Sequence, residues 1–317
     1  MRNNLKVSKL ISSYTFGIYP RSEELIEATR KNTENLASLF KTETEEYISA
    51  QKNADLGFIS DPLLKWDDIY RPFSNLTSVN MSSLNRIYEM NTFYRILSFD
   101  DLNFIDSHNV IESNLDSSLP KNKTVAIPEP FTLAKLHTNK EFKTKEDFTI
   151  SLAKMLRTEL DSLVKSGFEI IQLLAPSIAY NKEIDFGVVS DALKIITDGL
   201  KAKTILHTYF GDVSPKIESL LDLPVSGLGF DITKTPASSI EKHSFSDKIL
   251  TVGIINSFNT AIEKPEECIK QVDEINAKTK PKESYVSNNF DLEYVPKEFA
   301  MNKISVLGEI ARGAKNV

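Results

Sequence analysis

Short apolar runs rich in β-branched residues alternate along the whole chain with longer amphipathic helical patterns, as a parallel sheet with crossover helices requires. The runs fall at 15–19, 56–60, 123–127, 169–174, 203–208, 225–230, 248–255 and 284–287. A weaker ninth at 95–99 is expected outside the main sheet. Between them lie helical patterns such as SEELIEATRKNTENLASLF, KEDFTISLAKMLRTELDSLVKSG and FGVVSDALKIITDGLKAK. The second of these ends Lys165-Ser166-Gly167, a basic last turn followed by a glycine stop. Eight such units in 317 residues predict a closed (β/α)8 TIM barrel, with 1–317 read as one barrel. Residues 61–122 are polar and irregular, and are expected to decorate the barrel.

Bulk composition excludes several classes. Lys plus Arg number 38 against 44 Asp plus Glu, a net charge of −6, so the basic face that nucleic acid needs is absent. No apolar run reaches the roughly 18–20 residues that span a bilayer. The opening MRNNLKVSKLISSY has no continuous apolar stretch, so neither a signal peptide nor a membrane role is expected. Cys268 is the single cysteine. An intrachain disulfide is therefore excluded, which fits a reducing cytoplasm, as is a one-chain zinc site with two thiolates. Within KPEECIKQVDEI, Cys268 reads as a packed helix residue.

In a barrel of this kind the C-terminal strand ends carry the chemistry. Here they read Tyr19-Pro20-Arg21, Asp61, Pro128-Glu129-Pro130, Leu174-Ala175, His207-Thr208-Tyr209, Asp231, Asn256 and Asn288-Asn289. His207 and Asp231, at consecutive strand ends, are open to three readings. They form a general base with its orienting acid, two ligands of an incomplete metal site, or a backbone hydrogen bond and a cap. Glu129, held rigid between two prolines, is either a catalytic acid or a solvated carboxylate. Arg21 and Arg71 suit an anionic ligand tail or pair with nearby acids. Trp66, beside Asp67 and Asp68, is a stacking platform for a planar ligand or a core residue. His108, His137 and His243 lie in polar contexts and read as surface residues.

Taken in order, these segments resemble one family, the cobalamin-independent methionine synthases. FGIYPRSEELIEATRK resembles the family's opening strand, turn and helix. VAIPEPFTLAKL resembles its Pro-Gly-Pro-aromatic-Thr segment, with Glu129 where Gly is usual. FEIIQLLAPSIAY resembles the Gln-apolar-Asp-Glu-Pro strand, and ILHTYFGD the His-x-Cys strand. SGLGFD, ILTVGIINS and YVSNNFDL resemble the later strands, the last in place of a Pro-Asp-Cys-Gly-Leu segment.

The resemblance implies a zinc held by a His, two Cys and often a Glu, which activates homocysteine for methyl transfer from a folate or similar donor. Position by position, this chain keeps His207 but has Tyr209 and Phe290 at the thiolate positions and Asp231 at the Glu. The acids that would hold the substrate amine are Leu174 and Ala175, and a later Asp is Asn256. Zinc is therefore not expected, and no other bound cofactor is. Full-length members are tandem barrels, and the N-terminal one lacks the metal ligands. The expected function is accordingly a metal-free accessory subunit. It would act with a separate zinc-bearing paralogue and contribute surface, through Arg21, Trp66, Asp68 and Arg71, for a folate-type methyl donor or a carrier protein. The alternatives are a zinc-independent enzyme using Glu129, His207, Asp231 and Tyr209, or a zinc site completed by a partner chain.

Overall fold

The computed structural model describes residues 11–76, 78–88, 93–100, 102 and 109–314. Eight parallel strands form the main sheet: β1 (Ser12–Ser13), β2 (Ile59–Ser60), β5 (Lys123–Pro128), β7 (Phe168–Leu174), β8 (Lys203–Thr208), β9 (Gly227–Asp231), β10 (Ile249–Ile255) and β11 (Glu283–Asn288). Their spatial order is β1-β11-β10-β9-β8-β7-β5-β2. The two end strands meet where Phe58 N–H donates to the Ser13 carbonyl at 3.0 Å, which closes the (β/α)8 barrel. Strands β7, β8, β10 and β11 are almost wholly buried because helices cover them outside and each other's side chains fill the inside.

The helices are α1 (Glu23–Lys31), α2 (Leu36–Asn53), α3 (Pro130–Leu136), α4 (Lys145–Lys165), α5 (Pro176–Tyr180), α6 (Phe186–Thr197), α7 (Ile217–Leu221), α8 (Ala237–Ile240), α9 (Pro265–Thr279) and α10 (Lys297–Gly313). The Thr144 hydroxyl caps α4, which ends before Gly167 at φ +87°, a backbone conformation that glycine adopts without strain. The helix expected over 22–40 is two helices. Asn32 adopts the left-handed conformation (φ 49°) and stops α1, and α2 restarts four residues later and runs on to Asn53.

The first strand is shorter and earlier than its apolar pattern implies. Residues 15–19 leave the ladder, and Phe16 pairs with a side chain instead. The decorating region builds a second sheet, in which β3 (Val79–Arg86) pairs antiparallel with β4 (Phe93–Phe99), and β4 pairs parallel with β6 (Thr138–Asn139). His137 lies under this sheet rather than on the surface. It is 1% exposed, its Nδ1 accepts the Leu97 N–H at 3.1 Å, and burial pushes its pKa down to about 3. His243 is half-buried, and His108 lies outside the described residues. Among the described residues no helix is long and apolar enough to cross a membrane.

Candidate functional site at the barrel mouth

Two adjacent asparagines at the end of β11, Asn288 its last residue and Asn289 the next, organise the late-strand side of the mouth. Asn288 grips the Phe16 backbone twice, accepting from its N–H at 3.0 Å and donating to its carbonyl at 2.8 Å. Beyond the ladder, the Ile18 N–H donates to Asp291 Oδ1 at 3.0 Å and the Tyr19 N–H to the Pro62 carbonyl at 3.0 Å, so residues 15–19 are held by these contacts in place of a neighbouring strand. Asn289 joins His207 to Asp231. Its carbonyl lies 3.1 Å from His207 Nε2, and its side-chain Nδ2 donates to Asp231 Oδ1 at 3.1 Å. Its Oδ1 accepts the Ser257 N–H at 2.9 Å, and its own N–H donates to the Ile255 carbonyl at 2.8 Å. Sequence reading places Asn289 at a strand end but misses this bridging role, because Asn is equally at home in a turn.

His207 and Asp231 are therefore linked through Asn289, and no direct hydrogen bond joins them. A carbonyl only accepts, so His207 Nε2 carries the ring proton, an assignment made from the hydrogen-bond network. Burial pulls the imidazole down to about 4, against a smaller opposing effect of the Asn289 bond, so the ring is neutral near pH 7. Its Nδ1 has no hydrogen-bond partner among the described residues. It faces the backbone at Gly229, where a Cβ would stand only 2.3 Å away, so glycine is required there. Gly253 plays the same part for Asn289, whose Cα is 3.0 Å from the missing Cβ. Asp231 Oδ1 also accepts from the Thr233 N–H and hydroxyl at 2.9 and 2.6 Å, while Oδ2 is unpartnered and burial raises the carboxyl. This is a backbone-capping arrangement rather than a base with its orienting acid.

Aromatic rings fill the space above. Tyr209 and Phe290 lie 4.6 Å apart between centroids, and Phe210 contacts both at 4.7 and 4.5 Å. Phe258 stacks nearly parallel on Phe290 at 5.7 Å, and Tyr294 closes the cluster at 5.4 Å. The Tyr209 hydroxyl is buried with no hydrogen-bond partner among the described residues, and Leu174 and Ala175 are fully buried. As a zinc donor set these positions are a poor fit. One imidazole nitrogen is committed to a carbonyl and the other is pressed on glycine, while the two thiolate positions hold packed rings. Among the described residues no three His, Cys, Asp or Glu side chains converge as a metal-binding group.

Glu129 is buried rather than solvated. It caps α3, accepting the Phe131 and Thr132 N–H groups at 2.6 Å each, and burial against those bonds sets it at about 7. Asn256 accepts the Phe258 N–H at 2.9 Å. Cys268 is buried on α9 and pushed up to about 11, an inert packed thiol.

The early-strand side of the mouth is charged. Arg71 donates to Asp67 Oδ2 at 3.0 Å and Arg21 lies 3.8 Å from Oδ1, so one exposed carboxylate gathers both guanidiniums. Asp68 is buried and accepts the Tyr70 and Arg95 N–H groups. Trp66 is 1% exposed, a core residue and not a stacking platform, with its Nε1 unpartnered.

The (β/α)8 barrel is also the fold of its structural neighbours. The chain superposes on a B12-independent methionine synthase from Shewanella in complex with selenomethionine with a TM-score of 0.73. That match covers 95% of this chain and 97% of that one at 17% identity. A methyltransferase from Methanosarcina mazei gives a TM-score of 0.59 at 12% identity, covering 94% of this chain and 93% of that one. The family description "Cobalamin-independent synthase, N-terminal domain" matches residues 84–280, and the chain belongs to that family. Among similar proteins, the methionine synthase of Sulfurisphaera tokodaii is 24% identical over 308 residues, covering 93% of this chain and 90% of its own. That of Saccharolobus islandicus is 28% identical over 193 residues, covering 59% of this chain and 57% of its own.

Proposed function

We propose that this chain, a single barrel, is a metal-free accessory component of a methionine-synthase-type methyl-transfer system. A separately encoded zinc-bearing barrel would carry the sulfur chemistry. This chain would contribute binding surface for the methyl donor, of folate type, or for its carrier, on the charged side of the mouth near Arg21 and Arg71; Asp68, buried with both oxygens accepting backbone N–H groups, is not part of that surface. The observation that carries this reading is the Tyr209–Phe290 contact, which puts packed rings where zinc-bearing relatives are implied to place thiolates. The match to a description that names an N-terminal domain agrees with this reading. The buried, reduced Cys268 agrees with a cytoplasmic location.

The zinc-independent enzyme is the weaker reading. It needs Glu129, His207 and Asp231 to converge on a ligand, yet Glu129 is spent on a helix cap and Asp231 on a turn. The test is methionine formation from homocysteine with methylated folate or methylated corrinoid as donor. The chain alone should give none, and activity should appear, or rise, when a zinc-bearing family barrel from the same host is added. Methionine made by the purified chain alone would defeat the proposal.

A further inference from the structure

A buried hydroxyl without a partner has lost its hydration for nothing, so several in one place mark a space that something polar completes. Tyr70, Tyr94 and Tyr209 are at most 2% exposed, and none of their hydroxyls has a hydrogen-bond partner among the described residues. They come from three separate places: the loop after β2, strand β4 of the outer sheet, and the residue following β8. The three phenols share one space between the outer sheet and the strand ends. Burial raises the Tyr94 phenol most, and Tyr209 and Tyr70 raise it further; burial likewise leads at Tyr70, followed by Tyr88 and Tyr209. Tyr88, just after β3, adjoins that space. Its hydroxyl shares a hydrogen bond with Ser177 Oγ at 2.8 Å, and its ring meets Tyr94 at 6.3 Å, Phe210 at 5.5 Å and the exposed Tyr180 at 5.3 Å. The Tyr70 hydroxyl stands near that of Tyr88 without bonding to it.

What surrounds these phenols defines the missing partner. Each carries a proton to donate. Asp68 and Glu129 do not take it, because each spends both oxygens on backbone N–H groups. An acceptor is lacking, and a negatively charged one is disfavoured. Beyond burial, Asp68 pushes Tyr70 up, Glu129 pushes up Tyr88 and Tyr209, and Asp291 pushes up Tyr94 and Tyr209, as negative charge nearby does. The rings of Tyr88 and Phe210 supply flat apolar surface beside the donors.

We propose that the hydroxyls of Tyr70, Tyr94 and Tyr209 bind a small uncharged aromatic molecule through a carbonyl or other neutral acceptor, with Tyr88 and Phe210 as its apolar wall. This site is separate from the accessory role and from the charged surface at Arg21 and Arg71. Calorimetric titration of the full chain with benzamide tests it, with benzoate, alike in shape but anionic, as the comparison. Saturable one-to-one binding of benzamide is expected, with benzoate clearly weaker. Tyr94→Phe and Tyr209→Phe should each weaken benzamide by about fivefold, the effect of one lost hydrogen bond. Both should leave the melting temperature of the ligand-free chain unchanged or higher, since the hydroxyls removed bond nothing there. No saturable benzamide binding, equal binding of benzoate, or unchanged affinity in the Tyr94→Phe/Tyr209→Phe double variant would overturn the proposal. So would a lower ligand-free melting temperature in that double variant, which would show that the hydroxyls are already bonded.

Discussion

The two sides of the barrel mouth differ in how they use polar groups. On the late-strand side His207, Asp231, Asn288 and Asn289 are buried, and their hydrogen bonds run inward to backbone and to one another beneath a lid of rings. On the early-strand side Arg21, Asp67 and Arg71 remain partly exposed and form one loose ionic group. The late-strand positions are enclosed beneath packed rings, while the side facing solvent keeps its charge. On the proposed reading, strand-end placement alone does not mark chemistry; enclosure and the hydrogen bonds already made weigh against it.

The sharpest way to break this contrast is to cut into the lid. Phe290→Ala removes a ring packed on Tyr209, Phe210, Phe258 and Tyr294. It should cost about 3–5 kcal/mol in urea unfolding. A loss below about 1 kcal/mol would mean that the rings are not a packed lid.

Next in size is a pH effect at Glu129. Its folded pKa of about 7 lies above the ordinary 4.5. Between those values the folded chain holds a proton that the unfolded chain has released, so this group makes stability fall as pH rises through the window. Glu129→Gln lacks that slope. The stability of the variant relative to the parent should therefore rise by about 3 kcal/mol from pH 4.5 to above 7, at 1.36 kcal/mol per pKa unit. His137 and His207, held below their usual value, give the opposite slope, but they titrate alike in both proteins and cancel. A flat difference across the window would refute the burial of Glu129.

Asn289→Ala should cost about 2 kcal/mol by stranding the Ser257 N–H and weakening the hold on Asp231. Smallest of all, Arg71→Ala on the exposed side should change stability by less than about 1 kcal/mol. If it cost as much as Asn289→Ala, the contrast between the two sides would disappear.

Much of this frame is legible in the sequence. The buried strands β5, β7, β8 and β10 announce themselves as apolar runs with β-branched residues between helical patterns. β1 does not, because contacts from Asn288, Asp291 and Pro62, not a ladder, hold the apolar residues after it. The break at Asn32 is hidden because the amphipathic period continues across it. The outer sheet is hidden because β3 reads Val-Asn-Met-Ser-Ser-Leu-Asn-Arg and is almost wholly exposed. At the site, the shortage of thiolates for a one-chain two-Cys zinc set can be read directly from a single Cys. The Asn289 bridge, the Glu129 cap and the burial of His137 and Trp66 depend on long-range packing, which local polarity does not reveal.

The account rests on the late-strand side being unable to hold a catalytic zinc ion. The direct measurement is zinc content by mass spectrometry after expression with added zinc and extensive dialysis, for the parent and for His207→Ala. The account predicts no stoichiometric zinc in the parent and no difference between the two. One zinc per chain in the parent that is lost in His207→Ala would contradict it.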